Sequence, residues 1–338
     1  MLTAFILDIL SETRDRVRIG NTLLTTAMFS SESFLLMLCY SIGVWTAPRQ
    51  IRQTIFVLQL LKKVRSNLKG NKRLQYSKAK HISLILYIIW QIISYYVIYS
   101  TLTYYGGMRK NILVSSLYIS YSFEAIAITF LELNWSLLLV EIYSTLNLVN
   151  DELEELFTHV ATARRYGHEN EYIHQLNLSY DAICDTLMQL DKNNGPFLLC
   201  SFILLCMLLL ITPYNLIAVS LYTNSNDELK RYMSIGVQLN WCLLHLSRLV
   251  VLVEPCHWLQ KQMERTGRVL NKLVCHADRC DLSRMTLDPF LLQTQMYNCT
   301  LAPCGVFTIT RPLLASVLGG VLTYLIIMVQ FQNITEII

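Results

Sequence analysis

The chain has 338 residues, 53% of them hydrophobic and 15% charged, with 28 Lys and Arg against 24 Asp and Glu for a formal net charge of +4. An average soluble domain carries about 25% charged residues, and a mean hydropathy of +0.39 excludes a surface solvated all round. The charges are also segregated: residues 82–108, 193–226 and 312–335 contain no Asp, Glu, Lys or Arg, stretches that meet the roughly 20 apolar residues a helix needs to cross a bilayer.

The first ten residues are apolar but run into Ser11-Glu12-Thr13-Arg14-Asp15-Arg16. With no basic leader and no small-residue cleavage site, this is not a signal peptide, and Met1 is expected to be retained. Hydropathy then places six spans near 28–47, 82–105, 112–135, 196–222, 232–253 and 306–331. The fold class is all-α, a polytopic membrane helix bundle. Its expected divisions are a transmembrane region over 1–135, a cytoplasmic helical segment over 136–195, a transmembrane pair over 196–254, a second cytoplasmic segment over 255–305, and a last helix with its tail over 306–338.

Lys and Arg near the spans mark the cytoplasmic side. Residues 48–81 hold ten of them, from Arg49 to Lys80, against two each in 106–111 and 223–231. The alternation puts 136–195 and 255–305 inside and the C-terminus, with no basic residue after Arg311, outside. Arg14, Arg16 and Arg18 fit poorly on the outside; a further span upstream, with Leu2 to Leu10 as its tail, would make seven spans and an internal N-terminus.

The third span continues into water, because Leu146, Val149, Leu153, Leu156 and Val160 keep 3-4-3-4 spacing between acidic residues. After a polar break at Arg164 to Asn170, the series Ile173, Leu176, Tyr180, Ile183, Leu187 and Leu190 repeats the spacing, and Asn193-Asn194-Gly195-Pro196 is expected to end it. Such a pair of amphipathic helices needs an apolar partner, in its own chain, in another subunit or on the lipid. The basic 51–65 segment, with Ile51, Ile55, Leu58 and Lys62 on one face, suits an anionic lipid surface.

None of the ten cysteines falls in an outside loop, so no disulfide framework is implied. Cys275-His276 and Cys280 lack a second ligand pair at zinc spacing and read as free thiols. Asn333-Ile334-Thr335 is a glycan acceptor pattern too near the membrane to rely on.

Ionisable groups in lipid are costly and mark function or a buried partner. Glu124 and Glu132 lie two helical turns apart on nearly one face, below Tyr118 and Tyr121. The neighbouring span adds Trp90, Gln91, Tyr95, Tyr96, Tyr99, Tyr104 and Tyr105, and a later one Trp241, His245 and Arg248. The aromatic outer ends suit a pocket for a small organic ligand as well as an interfacial belt. Trp90, Tyr95, Tyr99, Tyr118, Tyr121, Glu124 and Trp241 are the candidate ligand-binding residues. No phosphate-binding, dinucleotide, zinc-protease or nucleophile-elbow motif is present, so neither an enzyme nor a cofactor is expected.

The last span carries Pro303-Cys304-Gly305-Val306-Phe307 at its entry, Gly319-Gly320 for close helix approach, and Thr323-Tyr324, five hydrophobic residues and Gln330-Phe331 near its end. This Thr-Tyr…Gln-Phe pattern resembles the C-terminal signature of insect gustatory receptors, and a Leu-x-x-Gln step near Leu291 to Gln295 is similar too. The resemblance extends loosely over the whole chain and departs at the N-terminus, one span short. It implies a seven-helix subunit of a ligand-gated, non-selective cation channel in the plasma membrane, with a cytoplasmic N-terminus and an extracellular C-terminus. Four subunits, alike or mixed, would line a pore with the last helix: Gln330 a polar ring near the outer gate, Phe331 its hydrophobic neighbour, Thr323 and Tyr324 supporting packing. The implied partners are a small-molecule tastant, lipid and other gustatory receptors. The family's sugar branch tends to carry Glu after Thr-Tyr; Leu325 stands here, so a bitter or other non-sugar tastant is expected. The alternatives are a G-protein-coupled chemoreceptor, for which Asp-Arg-Tyr and Asn-Pro-x-x-Tyr are missing, and a secondary transporter, for which no internal repeat is found.

Overall fold

The computed structural model describes residues 23–68, 74–105, 112–161, 169–222, 228–277, 284–296 and 300–337. These form seven α-helices and one short 3-10 turn, with no strand among the described residues. The helices are α1 (Leu23–Asn67), α2 (Leu74–Tyr105), α3 (Ile112–Ala161), α4 (Glu169–Tyr222), α5 (Glu228–Ala277), α6 (Arg284–Met296) and α7 (Arg311–Ile337). The basic tail Arg14 to Arg18 lies outside the described residues.

The helices α3, α4 and α5 have 50, 54 and 50 residues. At about 1.5 Å per residue each is ~75 Å long or more, more than twice the ~30 Å of a hydrocarbon core. Each is therefore both a span and an extension into water. By length and composition Ile119–His159, Asn170–Ile217, Arg231–His276 and Arg311–Gln330 can cross a membrane, and Ile85–Thr101 is a shorter apolar stretch. The region near 28–47 is helical, on α1, but Ser30, Ser31, Glu32 and Ser33 dilute its hydropathy and it is not among those four.

The extensions pack within the chain. Leu146, Val149, Leu153 and Leu156 of α3 are buried with Ile173, Leu176, Tyr180, Ile183, Leu187 and Leu190 of α4 and Leu270 and Leu273 of α5. The short α6 closes this end, with Leu287 and Phe290 fully buried and the Phe290 ring 5.6 Å from that of Tyr180. Polar crosslinks set the register: Asn150 donates to the Gln262 carbonyl at 2.9 Å, and Arg265 spans Glu154 and Asp151 at 2.7 and 3.0 Å. The hydrogen bonds it donates to Glu154, then to Asp151, hold the Arg265 guanidinium above its ordinary pKa. On α1, Ile51, Ile55 and Leu58 stay exposed while Val57, Leu61 and Val64 are buried, so the face that suits a lipid surface remains free of the chain's own core.

Two expectations need correcting. Asn193 to Pro196 does not end a helix, because α4 runs through it with Pro196 inside. Asn-Asn-Gly-Pro is a stop signal in water, but here Leu190, Phe197 and Leu198 are at most 1% exposed and burial on both sides holds the axis. The Asn194 amide turns back to the Leu190 carbonyl at 2.9 Å, and Gly195 serves close packing: a Cβ there would lie 3.0 Å from the Cys304 backbone nitrogen. Likewise the last helix starts at Arg311, not 306. Pro303–Gly305 is a 3-10 turn with Cys304 and Gly305 at φ 52 and 71, and the Ile309 N–H bonds back to the Leu301 carbonyl at 2.9 Å. The chain is thus folded into a tight loop against α4 just before α7.

Gly195→Val should force this loop off α4, an overpacking cost of about 1–3 kcal/mol. Gly236→Ala, where nothing lies within 4 Å of the new methyl, should leave stability equal or higher. Thermal unfolding of the purified proteins in detergent checks both: a lowered midpoint for the first only.

Candidate functional site

Midway along the bundle, α3, α4 and α5 are joined by one carboxylate. Arg248 of α5 makes a two-pronged contact with Glu132 of α3, Nε to Oε2 at 2.9 Å and Nη2 to Oε1 at 2.8 Å, and the Ser201 hydroxyl of α4 donates to the same carboxylate. Glu132 is 2% exposed and Arg248 1%. A charge pair this deep is tolerated only when its geometry is near ideal and its remaining hydrogen-bonding sites are met. The Ser136 hydroxyl reinforces the crossing by donating to the Val251 carbonyl at 3.0 Å.

Above this pair the aromatic residues converge. The Tyr95 ring of α2 meets Trp241 of α5 edge to face at 5.9 Å, and Trp241 stacks on His245 at 5.4 Å. Gln91 donates to the Tyr87 hydroxyl at 2.7 Å, and Tyr121 donates to the buried Glu32 carboxylate of α1 at 2.6 Å. Between α2 and α3 lies a cavity of about 130 Å³ lined by Tyr87, Gln91, Tyr95 and Thr129 among apolar neighbours. Among the described residues, Gln91 Oε1 and His245 Nδ1 are buried with no hydrogen-bond partner.

Of the candidate ligand-binding residues, Tyr95 and Trp241 are in contact and Tyr95 lines this cavity. Trp90 lies instead in a groove between α2 and α5. Tyr121 is turned toward Glu32, Tyr99 is 40% exposed, Glu124 is half-buried, and the Tyr118 side chain lies outside the described residues. The pairing of Glu132 with Arg248 escaped the sequence reading. Both residues stood out as charges in apolar segments, but a partner 116 positions away leaves no local signal.

The helix α7 is different in kind. Only 6% of its apolar stretch is buried in the chain, against 61% for those of α3 and α4. Met328 is buried and Leu325 packs beside it, both on Ile211 and Tyr214 of α4. Leu322, Tyr324 and Ile326 are 57–62% exposed, and Thr323 and Gln330 are exposed too; the Thr323 hydroxyl is spent on the Gly319 carbonyl at 2.9 Å. The Phe331 side chain lies outside the described residues. At the base of α7, Arg311 grips Glu254 of α5 through Nε at 2.9 Å and Nη2 at 2.8 Å.

Residues 3–334 match the family model described as 7tm Chemosensory receptor. The chain belongs to that family. This 7tm chemosensory receptor is 29% identical over 107 residues to the gustatory receptor for sugar taste 43a of Drosophila melanogaster, a match covering 29% of the chain and 23% of that relative, so only about a quarter of the relative's length is spanned. It shares its fold with the insect olfactory receptor OR5 of Machilis hrabei, at a TM-score of 0.57 and 14% identity over 92% of this chain and 83% of that one. The receptor is accordingly a multi-pass helical membrane protein of a chemosensory class, which is not a class of enzymes.

Removing one partner of the buried pair leaves an uncompensated charge, at a cost of about 3–5 kcal/mol. Arg248→Met alone should therefore abolish folded, detergent-extractable receptor, whereas Glu132→Leu with Arg248→Met should recover much of it. Size-exclusion profiles of fluorescently tagged protein check this; an undiminished single variant would show the pair to be dispensable, and equal losses in both would show that the uncompensated charge is not the cause.

Proposed function

We propose that this receptor is a subunit of a ligand-gated, non-selective cation channel for taste, in which a small tastant held in the outer half of the bundle opens a pore lined by α7. The observation that carries this reading is the exposure of α7, an apolar helix with 6% of its stretch buried. Small residues favour close helix contact within membranes, and a Cβ added at Gly319 or Gly320 of α7 would meet no described atom from outside its own turn of helix within 4 Å. Copies of α7 around a common axis supply the partners that the single chain lacks. Its polar groups, Thr323, Tyr324 and Gln330, are then few and separated by aliphatic turns, which suits a narrow pore gated by hydrophobic constriction. In this reading Gln330 and Phe331 stand at the outer gate of a homo- or hetero-tetramer in the plasma membrane, with the N-terminus in the cytosol and the C-terminus outside.

The ligand in this reading meets Tyr95 and Trp241, with Tyr99, Tyr118, Tyr121 and Glu124 around them; Trp90, expected among them from the sequence, faces the groove between α2 and α5. We hold it to be a bitter or other non-sugar compound, although the relative from Drosophila melanogaster is named for sugar taste. Leu325 replaces the Glu of the sugar branch, and the cavity beside Tyr95 offers few polar groups among apolar walls, a lining for one or two hydrogen bonds and not for a polyol.

The test is whole-cell recording from cells expressing the receptor with G-protein signalling blocked, screened against a panel of bitter and sugar compounds. Tastant-evoked cation current is expected. Gln330→Ala should change its gating or ion permeation while surface labelling stays constant. Currents that vanish with G-protein block, or that are indifferent to Gln330→Ala, contradict the pore assignment.

A further inference from the structure

A second groove, of about 480 Å³, lies between α2 and α5 on the other side of α2 from the cavity beside Tyr95, toward the end of the bundle that carries the long extensions. It opens on the bundle's outer surface, where Leu243 and Val250 are 56% and 38% exposed. Three aromatic side chains, Tyr87, Trp90 and Trp258, contribute to its walls, the first two with rings 6.3 Å apart. Ser83 and Ser247 add hydroxyls, and Glu254 adds its one charged side chain.

This combination has a chemistry. Aromatic faces attract organic cations, most strongly where water is excluded, and a carboxylate among apolar walls selects for positive charge and rejects anions. The lining carries one carboxylate, too few for a bare metal ion held by oxygen ligands, and its volume suits a drug-sized molecule. The Glu254 carboxylate is already touched by Arg311, but that contact is one hydrogen bond to each oxygen, and a carboxylate has about four acceptor positions. With Arg311 54% exposed and Glu254 24%, the pair is a surface one and open to competition.

We infer that this groove binds an organic ammonium with an apolar body, a free amphiphilic amine entering from the membrane, whose charge meets Glu254 and the surrounding aromatic rings. Because the same carboxylate holds Arg311, the first residue of α7, amine binding and the grip on the base of α7 are in competition. The site shares Tyr87 with the cavity beside Tyr95 but opens on the other side of α2, and its existence does not depend on the channel reading.

The experiment uses the full-length chain in nanodiscs of phosphatidylglycerol, which has no amine headgroup, titrated with 3-phenylpropyl-trimethylammonium and followed by tryptophan fluorescence. Saturable quenching is expected, weakened about tenfold or more by Glu254→Gln and by replacing the ligand's trimethylammonium with tert-butyl. Arg311→Gln removes the same ion pair but leaves the carboxylate, and should tighten binding. A structural defect from losing the pair would weaken both variants alike, which would overturn the proposal, as would equal binding of the tert-butyl analogue. Repeating the titration in phosphatidylcholine discs separates the sources of the charge: unchanged binding supports a free amine, and abolished binding would assign the groove to the lipid's own headgroup and overturn it.

Discussion

An apolar helix must be covered by something, and α7 is hardly covered by its own chain. Every other long helix that can cross a membrane buries at least a third of its apolar stretch internally; α7 buries 6%. In a bilayer, lipid can cover aliphatic side chains but gives no hydrogen-bond partner to Tyr324 and Gln330, which lie exposed along the same helix. The rest of the architecture serves this asymmetry. The helices α3, α4 and α5 with α6 and part of α1 form one core, and α7 leans on it along one side through Leu313, Leu314, Val317 and Val321, with a second contact of Leu325 and Met328 on Ile211 and Tyr214 and an ion pair at Arg311.

What keeps the bundle from slipping under such a loosely held helix is the pair Glu132–Arg248 with Ser201. It crosses three helices at one depth and fixes their register, a use for which buried charges are better suited than for raw stability. Around it the aromatic contacts of Tyr95, Trp241 and His245 leave some polar atoms unmet. A charged floor beneath the aromatic cavity puts the proposed ligand site next to the element that sets helix register, so in the proposed reading a ligand held there would act on the packing of α3, α4 and α5.

Much of the fold was legible from residue spacing. The 3-4 alternation of Leu146 to Leu156 and of Ile173 to Leu190 announced two helices with one apolar face, and those faces are what the extensions bury. Local punctuation misled where tertiary packing opposed it. Asn193 to Pro196 reads as a stop, yet burial on either side carries α4 through. In contrast, Cys304-Gly305 looked like a simple entry to a span and is a left-handed loop, which holds the first helical residue back to Arg311. The site was legible only as a set of residue types. Glu132, Arg248, Tyr95 and Trp241 stood out for their chemistry, but contacts between residues more than a hundred positions apart depend on how the helices cross, and no spacing rule contains that.

The central claim is that α7 completes itself on other subunits. Native mass measurement of the purified receptor, gently extracted into detergent and released from its micelle, tests this most directly. The account predicts a principal species of four chains of 39.1 kDa. A receptor that remains a monomer at every concentration and in every mild detergent, while still folded by its thermal transition, would contradict it.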